Sequence, residues 1–220
     1  MRKLICLLLA VVATTSHART VSWRSDIFDT LLDSSGAMLD DTFTFELGAF
    51  DTGFTPTALN FDQWSLHWHA FGRATYESIN GNGWEPSLQY FTKDTTVLAG
   101  QFSSESPPLA SHAFTAGTDA WLWVYDTQAV TPASEWALVR GSTWTFPASD
   151  LLNLTPVTWE LNSADISLWG GANDLRGAGE FSSLPLTFDL QTAVVPEPAG
   201  ALLVVAALCL SRRRREAEAA

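Results

Sequence analysis

The side chains of this 220-residue sequence that could do chemistry are two neighbouring histidines, a scatter of acidic residues and ten tryptophans. His67 and His69 are separated only by Trp68, and His112 lies far along the chain. On a strand, residues two apart face the same way and can share a metal, but on a helix they lie about 200° apart. The pattern described below predicts a helix here, and no cysteine or carboxylate stands at a ligand spacing. A zinc site is therefore not expected.

Five aspartates lie near the start of the chain, at positions Asp26, Asp29, Asp33, Asp40 and Asp41. Calcium takes oxygen ligands from loops of this kind, and extracellular calcium sites are often weak. The sequence has no EF-hand loop and no repeated aspartate pattern. Solvated acidic loops are the simpler interpretation, and Ca²⁺ is the one cofactor that the pattern leaves open.

Motifs for nucleophilic catalysis are absent from the sequence. There is no G-x-S-x-G elbow, and the two cysteines, Cys6 and Cys209, lie in the terminal segments. Acidic residues are numerous enough to form many chance pairs, so no glycosidase pair can be named. The sequence predicts a protein that is not an enzyme, with an extracellular hydrolase of unrecognised motif as the more distant alternative.

The tryptophans have two interpretations. Burial in a core is the simpler one, because a large ring offsets much conformational entropy in a domain without disulfides. This role suits Trp64, Trp68, Trp121 and Trp123. Trp84 and Trp169 instead lie beside glycine-containing turns, where loops expose side chains. An exposed indole can stack on a sugar ring, so these two residues are the candidate sugar contacts.

The elements that must position these side chains are mostly strands, because phenylalanine, tryptophan, threonine and valine dominate the centre of the chain. Residues 42–50 alternate, with Phe43, Phe45, Leu47 and Ala49 on one face, as in a half-buried strand. Residues 120–125 are apolar on both faces, as in a central strand. Further strands are expected at residues 135–140, 143–146, 156–161 and 186–190, and a tight hairpin with positive φ angles at residues 80–83.

One stretch has helical spacing instead. Phe61, Trp64, Trp68 and Phe71 recur at three- and four-residue steps, and Asn60 before them resembles the start of a capping box. The predicted fold is therefore all-β: an antiparallel β-sandwich, jelly-roll or immunoglobulin-like, with one short helix. A signal helix at the N-terminus and an apolar helix at the C-terminus complete the prediction.

The N-terminal segment has the pattern of a cleavable export signal. Two basic residues precede ten mostly apolar ones, and small residues follow at Ser16 and Ala18. Signal peptidase recognises this order, and it predicts a cut between Ala18 and Arg19. The apolar run is too short for a bilayer-spanning helix, which needs about 20 residues.

The C-terminal segment combines Pro196, Glu197 and Pro198 with an apolar run over residues 199–210 and four arginines: Arg212, Arg213, Arg214 and Arg215. Twelve residues rise only about 18 Å as a helix, so the segment is a marginal membrane anchor. The arginines should stay cytoplasmic, leaving the body outside the membrane.

In that order, these features resemble the PEP-CTERM sorting signal of Gram-negative bacteria that make exopolysaccharide. The resemblance implies recognition in the membrane by an exosortase, which cuts near the triplet and releases or re-attaches the body.

These signals divide the chain into a signal peptide (1–18), a β-sandwich ectodomain (19–193), the PEP-CTERM signal (194–215) and a tail (216–220). Residues 19–195 contain six basic and 21 acidic side chains, a net charge near −15. Such a body repels phosphate backbones, so nucleic acid is not an expected partner.

The expected protein is a non-catalytic surface or extracellular-matrix component associated with exopolysaccharide. It would be held transiently in the inner membrane and then reach the cell surface or matrix. The alternative is a carbohydrate-binding module that uses exposed tryptophans.

Overall fold

A computed structural model describes residues 18–79, 81–98, 115–147 and 156–196. The two predicted terminal helices and His112 lie outside these ranges. Within them, one helix, α1, spans Trp64–His67, and short 3₁₀ turns span Phe61–Gln63, Pro86–Leu88 and Leu161–Ser163. The strands of the described part are β1 (Ala18–Arg24), β2 (Leu31–Leu32), β3 (Thr44–Phe50), β4 (Trp68–Thr75), β5 (Trp84–Glu85), β6 (Tyr90–Leu98), β7 (Trp121–Tyr125), β8 (Glu135–Arg140), β9 (Val157–Glu160), β10 (Ile166–Trp169), β11 (Gly171–Ala172), β12 (Leu175–Arg176), β13 (Leu190–Gln191) and β14 (Ala193–Val194).

The strands form three sheets, and their pairing is mostly antiparallel. The first sheet has the order β5-β6-β1-β9, and the small third sheet has the order β12-β11-β13-β2. The central sheet has the order β10-β8-β7-β3-β4, with β14 also paired to β8. Two pairs are parallel, β1 with β9 and β2 with β13. The prediction of a β-rich fold with antiparallel sheets and one short helix is confirmed, and the two parallel pairs join strands that are connected by long crossovers.

An inner cluster of buried side chains draws on all three sheets. Phe43, Phe45, Leu47 and Ala49 all belong to it, which confirms the apolar face predicted for β3. From β7, Leu122 and Val124 point into the same cluster. Its largest other members are Trp23, Phe71, Trp84, Phe91, Trp144, Phe146 and Trp159.

An outer cluster covers the opposite face of the central sheet. Its members are Phe50, Trp64, Trp68, Ala70, Trp123, Tyr125, Trp136, Leu138, Trp169, Ala193 and Val195. Trp64, on α1, lies at its centre, with ring centroids 5.9–6.2 Å from those of Trp123, Trp136 and Trp169. Strand β7 is therefore buried on both faces, as its sequence predicts.

The second face of β3 is also buried, which the sequence did not predict. Glu46 is fully buried there and forms an ion pair with Arg73 on β4. Its carboxylate also accepts hydrogen bonds from the Trp68 indole N–H at 2.7 Å and the Gln128 amide at 2.9 Å. Because the outer cluster covers this face, the alternation in β3 did not mark a solvent-exposed side.

The predicted helix is much shorter than its pattern suggested. It ends at His67, and Trp68 and Phe71 lie on β4, where they point into the outer and inner clusters respectively. The pairing of β3 with β4 has a register irregularity at Gly48, which lets β4 contribute side chains to both clusters. A Cβ on Gly48 would collide with the His69 carbonyl and the Trp68 ring. Asn60 forms no capping hydrogen bond; its side-chain oxygen instead accepts from the Trp64 indole.

Other local predictions had mixed outcomes. Gly81 and Gly83 have positive φ angles as expected, but their turn connects the central sheet to the first sheet, so it closes no hairpin. Residues 135–140 form β8 as predicted, and β7 and β9 fall within the predicted ranges. Residues 143–146 contribute only an isolated bridge at Thr145, and of residues 186–190 only Leu190 lies in a strand. None of the helices in the described ranges is long and apolar enough to cross a membrane.

Trp64→Ala should destabilise the fold by about 3–5 kcal/mol, because it removes the ring at the centre of the outer cluster. The matched control is Leu66→Ala on the same helix, a side chain that is 77% exposed. That change should alter stability by no more than about 0.5 kcal/mol. Urea denaturation followed by circular dichroism measures both, and equal midpoints for the two variants would show that the outer cluster does not stabilise the fold.

Candidate functional site

The two tryptophans predicted to contact sugars are buried, so the expectation that they are exposed is wrong. Trp84 is 1% exposed, packs 4.7 Å from the Phe45 ring, and donates its indole N–H to the Asp40 carbonyl at 2.9 Å. Trp169 is 2% exposed and donates to the Ala193 carbonyl at 3.2 Å. The neighbouring glycines, Gly83 and Gly170, allow close packing rather than exposure, because a Cβ there would collide with the carbonyl oxygens of Thr92 and Gln191 respectively.

Of the ten tryptophans, all of which lie in the described ranges, Trp121 alone is not buried. It begins β7, at the end of the central sheet where the loop after β3 also begins. Trp121 packs against the outer cluster but is only partly buried, whereas the other nine tryptophans are buried. This residue therefore marks the candidate site.

A cleft of about 450 Å³ surrounds Trp121. The loop from Asp51 to Pro56, which follows β3, forms one wall, and Arg140 at the end of β8 forms part of the other. Thr115, Thr118 and Asp119, which precede β7, close one end. The site is therefore assembled from the ends of three adjacent strands of the central sheet and their loops, a usual place for ligand clefts.

Arg140 connects the aromatic and acidic parts of this cleft. Its guanidinium carbon lies 5.2 Å from the centroid of the Trp121 ring, a cation–π contact. Its Nη1 atom lies 2.7 Å from the Asp119 Oδ1 atom, and the Asp119 side chain remains 50% exposed. Indole, guanidinium and carboxylate thus form one continuous surface with both apolar and hydrogen-bonding character.

On the other side of the same loop, Asp51 brings the two histidines together. Its Oδ2 atom lies 3.0 Å from His67 Nδ1, and its Oδ1 atom lies 2.6 Å from His69 Nε2. The Phe54 ring stacks on His67 with centroids 4.1 Å apart. The prediction that the histidines point apart is wrong, because the helix ends at His67 and His69 already lies on β4.

The protonation of Asp51 follows from this geometry. Partial burial raises its pKa, but hydrogen bonds and charge interactions with His69 and His67 outweigh that effect, and the net pKa lies below the usual value. A carboxylate that is hydrogen-bonded to two imidazoles in this way fixes the orientation of both rings. In the described ranges, no group of three histidine, cysteine or acidic side chains is arranged to hold a metal ion.

The five early aspartates do not converge on a common centre. Asp33 accepts hydrogen bonds from the backbone N–H groups of Ser35 and Ala37, and Asp40 caps Thr42 in the same way. Asp29 accepts from the backbone of Asp26 at 2.7 Å. These contacts of Asp29, Asp33 and Asp40 are turn-forming ones.

The sorting residues lie mostly beyond the described ranges. Ala18 and Arg19, at the predicted cleavage site, are the first residues of β1. Pro196 is described, whereas Glu197, Pro198 and the four arginines, Arg212, Arg213, Arg214 and Arg215, are not.

Comparison with known proteins does not extend this picture. No protein-family model matches the chain, and neither curated proteins nor solved structures give a significant match. The geometry of the site and the two terminal segments are therefore the basis of any functional hypothesis.

Stability should depend on Asp51 in a defined pH range. Because its pKa is lowered in the folded state, the carboxylate stabilises the protein above its ordinary pKa of about 3.9, and this contribution is lost as the pH falls through the lowered value. Asp51→Asn should remove that part of the pH dependence. The measurement is the urea midpoint of both proteins between about pH 6 and about pH 2.5.

The control for a general change in charge is Asp62→Asn, which removes an exposed carboxylate from the neighbouring 3₁₀ turn. If the wild-type urea midpoint exceeds that of Asp51→Asn by the same amount at the acid end of this range, the lowered pKa of Asp51 is contradicted.

Proposed function

We propose that this chain is an exported, non-catalytic surface or extracellular-matrix protein, sorted through a PEP-CTERM signal and associated with exopolysaccharide. Its body is a β-sandwich of the jelly-roll or immunoglobulin-like type. The exosortase and signal peptidase are its processing partners, and the inner membrane holds it only transiently.

The observation that carries the proposal is where the folded elements lie relative to the two terminal signals. Strand β1 includes Ala18 and Arg19, the two residues on either side of the predicted signal-peptidase cut. At the other end, β14 pairs with β8, and the buried Val195 donates its backbone N–H to the Ser134 carbonyl at 2.8 Å. The next residue is Pro196, the first of the triplet. The first cut would therefore remove only Ala18 from the end of β1, and the second would follow β14, so that the rest of the described sheets would be kept.

The chemistry of the body is consistent with a structural or binding role. The two cysteines of the chain lie outside the body, in the terminal segments. Early aspartates of the body accept hydrogen bonds from backbone N–H groups of their own turns. A net charge near −15 keeps such a body soluble and apart from other polyanions. A hydrolase remains the alternative, and it differs by releasing sugar from native exopolysaccharide.

The test is the intact mass of the protein recovered from its native cell surface and culture medium. We expect a chain that starts at Arg19 and ends near Pro196, Glu197 and Pro198. A mature chain that retains the apolar run and the arginines would overturn the sorting proposal, because the tail would then be a lasting anchor.

A variant with all four C-terminal arginines changed to alanine provides the matched comparison. It should still lose residues 1–18 but remain uncut near Pro196, because the basic end that fixes the tail in the membrane is missing. Loss of both cuts would instead point to a general failure of export. Sugar release by the purified protein, measured as new reducing ends, would favour the hydrolase.

A further inference from the structure

We infer that the cleft around Trp121 binds neutral hexose units of a polysaccharide, with the indole as the stacking platform and Asp119 and Arg140 as hydrogen-bonding groups. This inference deepens the proposed function, because it names the surface that would contact exopolysaccharide. It moves the sugar contact away from Trp84 and Trp169, whose rings are buried.

The first reason is the exposure of Trp121. Nine of the ten tryptophans are buried, and most of these indoles donate to acceptors inside the protein. Burial of an indole stabilises the fold through the apolar area that it removes from water, and an indole left partly exposed at a cleft gives up part of that stabilisation. Pyranose rings have a C–H face that packs on a flat aromatic surface, and their hydroxyl groups remain free at the ring edge.

The second reason is the polar rim next to that ring. The Asp119 side chain is 50% exposed, while Arg140 is held against the indole at 16% exposure. Paired donors and acceptors of this type match the vicinal hydroxyl groups of a hexose. Arg140 is fixed by its contacts with Trp121 and Asp119, so little side-chain entropy is lost on binding.

The third reason is charge, which favours a neutral sugar over an acidic one. The body carries a net charge near −15, and the guanidinium of Arg140 in the cleft is already paired with the Asp119 carboxylate. A uronate-rich or sulfated polymer would be repelled at long range and would meet a further carboxylate on contact. A neutral hexose polymer meets no such barrier.

A second cleft, of about 370 Å³ and lined by Arg24, Phe28, Tyr90 and Glu160, serves as the comparison surface. It also combines aromatic side chains with an ion pair, between Arg24 and Glu160 at 2.5 Å. It contains no tryptophan, so we expect no sugar platform there. Tyr90→Ala is therefore a matched control for loss of an aromatic ring at a cleft.

The experiment measures binding of the full chain, in a detergent without a sugar headgroup, to a panel of polysaccharides. Neutral polymers (a β-1,3-glucan, a galactomannan and dextran) are compared with alginate as the anionic polymer, by mobility in native gels that contain each polymer. We expect at least one neutral polymer to retard the wild-type protein. Trp121→Ala should weaken that binding by about tenfold or more, whereas Trp121→Phe and Tyr90→Ala should weaken it by less than about threefold.

Two further measurements separate binding from folding. Asp119→Asn keeps the shape of a half-exposed side chain and should weaken binding severalfold with an unchanged near-ultraviolet spectrum. Because Trp121 is the one indole that is not buried, acrylamide should quench mainly this residue, and a saturating neutral polymer should protect it. The same polymer should give no protection in Trp121→Phe.

Binding that stays within twofold of wild type in Trp121→Ala would overturn the inference. Retardation by alginate alone, or by no polymer of the panel, would also overturn it. None of these results touches the proposed sorting, which the mass measurement tests separately.

Discussion

Each indole that enters this core carries an N–H group that must find an acceptor, and this requirement organises the molecule. A body without cysteine relies on buried rings, and a buried donor without a partner costs about 1–3 kcal/mol. Trp64, Trp68, Trp136 and Trp169 donate to Asn60, Glu46, the Thr127 carbonyl and the Ala193 carbonyl respectively. In the described ranges, Trp123 is the tryptophan whose buried N–H lacks a hydrogen-bond partner, and its ring meets Trp64, Trp68 and Trp136 edge to face.

The acceptors are mostly loop or edge groups, so the rings also position the segments that cover the central sheet. Trp136 fixes the loop after β7 through Thr127, and Trp169 fixes β14 through Ala193. Phe50 extends the outer cluster to the start of the Asp51 loop, where its ring lies 5.4 Å from that of Phe54. The wall of the Trp121 cleft therefore rests on the same aromatic packing that stabilises the fold. A change in the outer cluster would be expected to disturb the cleft as well as the stability.

The sequence predicted those features that depend on neighbouring residues. Alternation placed β3, a run that is apolar on both faces placed β7, and the glycines at positions 81 and 83 have the backbone angles expected of them. It misjudged α1 because helical spacing at Trp68 and Phe71 also fits a strand that points side chains into two clusters. It missed the cleft because Asp51, Asp119, Trp121 and Arg140 come from separate strands that meet only through sheet pairing. An aspartate directly after a strand and before a Thr-Gly turn was the one local signal that could have drawn attention to Asp51.

The parallel pairs of this fold have a consequence for the order in which the chain can fold. Strand β1 lies inside the first sheet, between β6 and β9, and β2 pairs with β13, so the first two strands bind partners from the last third of the described chain. Contacts of such long sequence separation form slowly, because loop-closure entropy is lost before they are gained. Strand β1 could pair with β6 once residue 98 had been made, but its second partner β9, and the partner β13 of β2, would be missing until most of the body had been synthesised. Sheets that are completed late keep a chain partly unfolded for longer, and the export proposed above would benefit from that delay, because a narrow translocation channel passes unfolded chains.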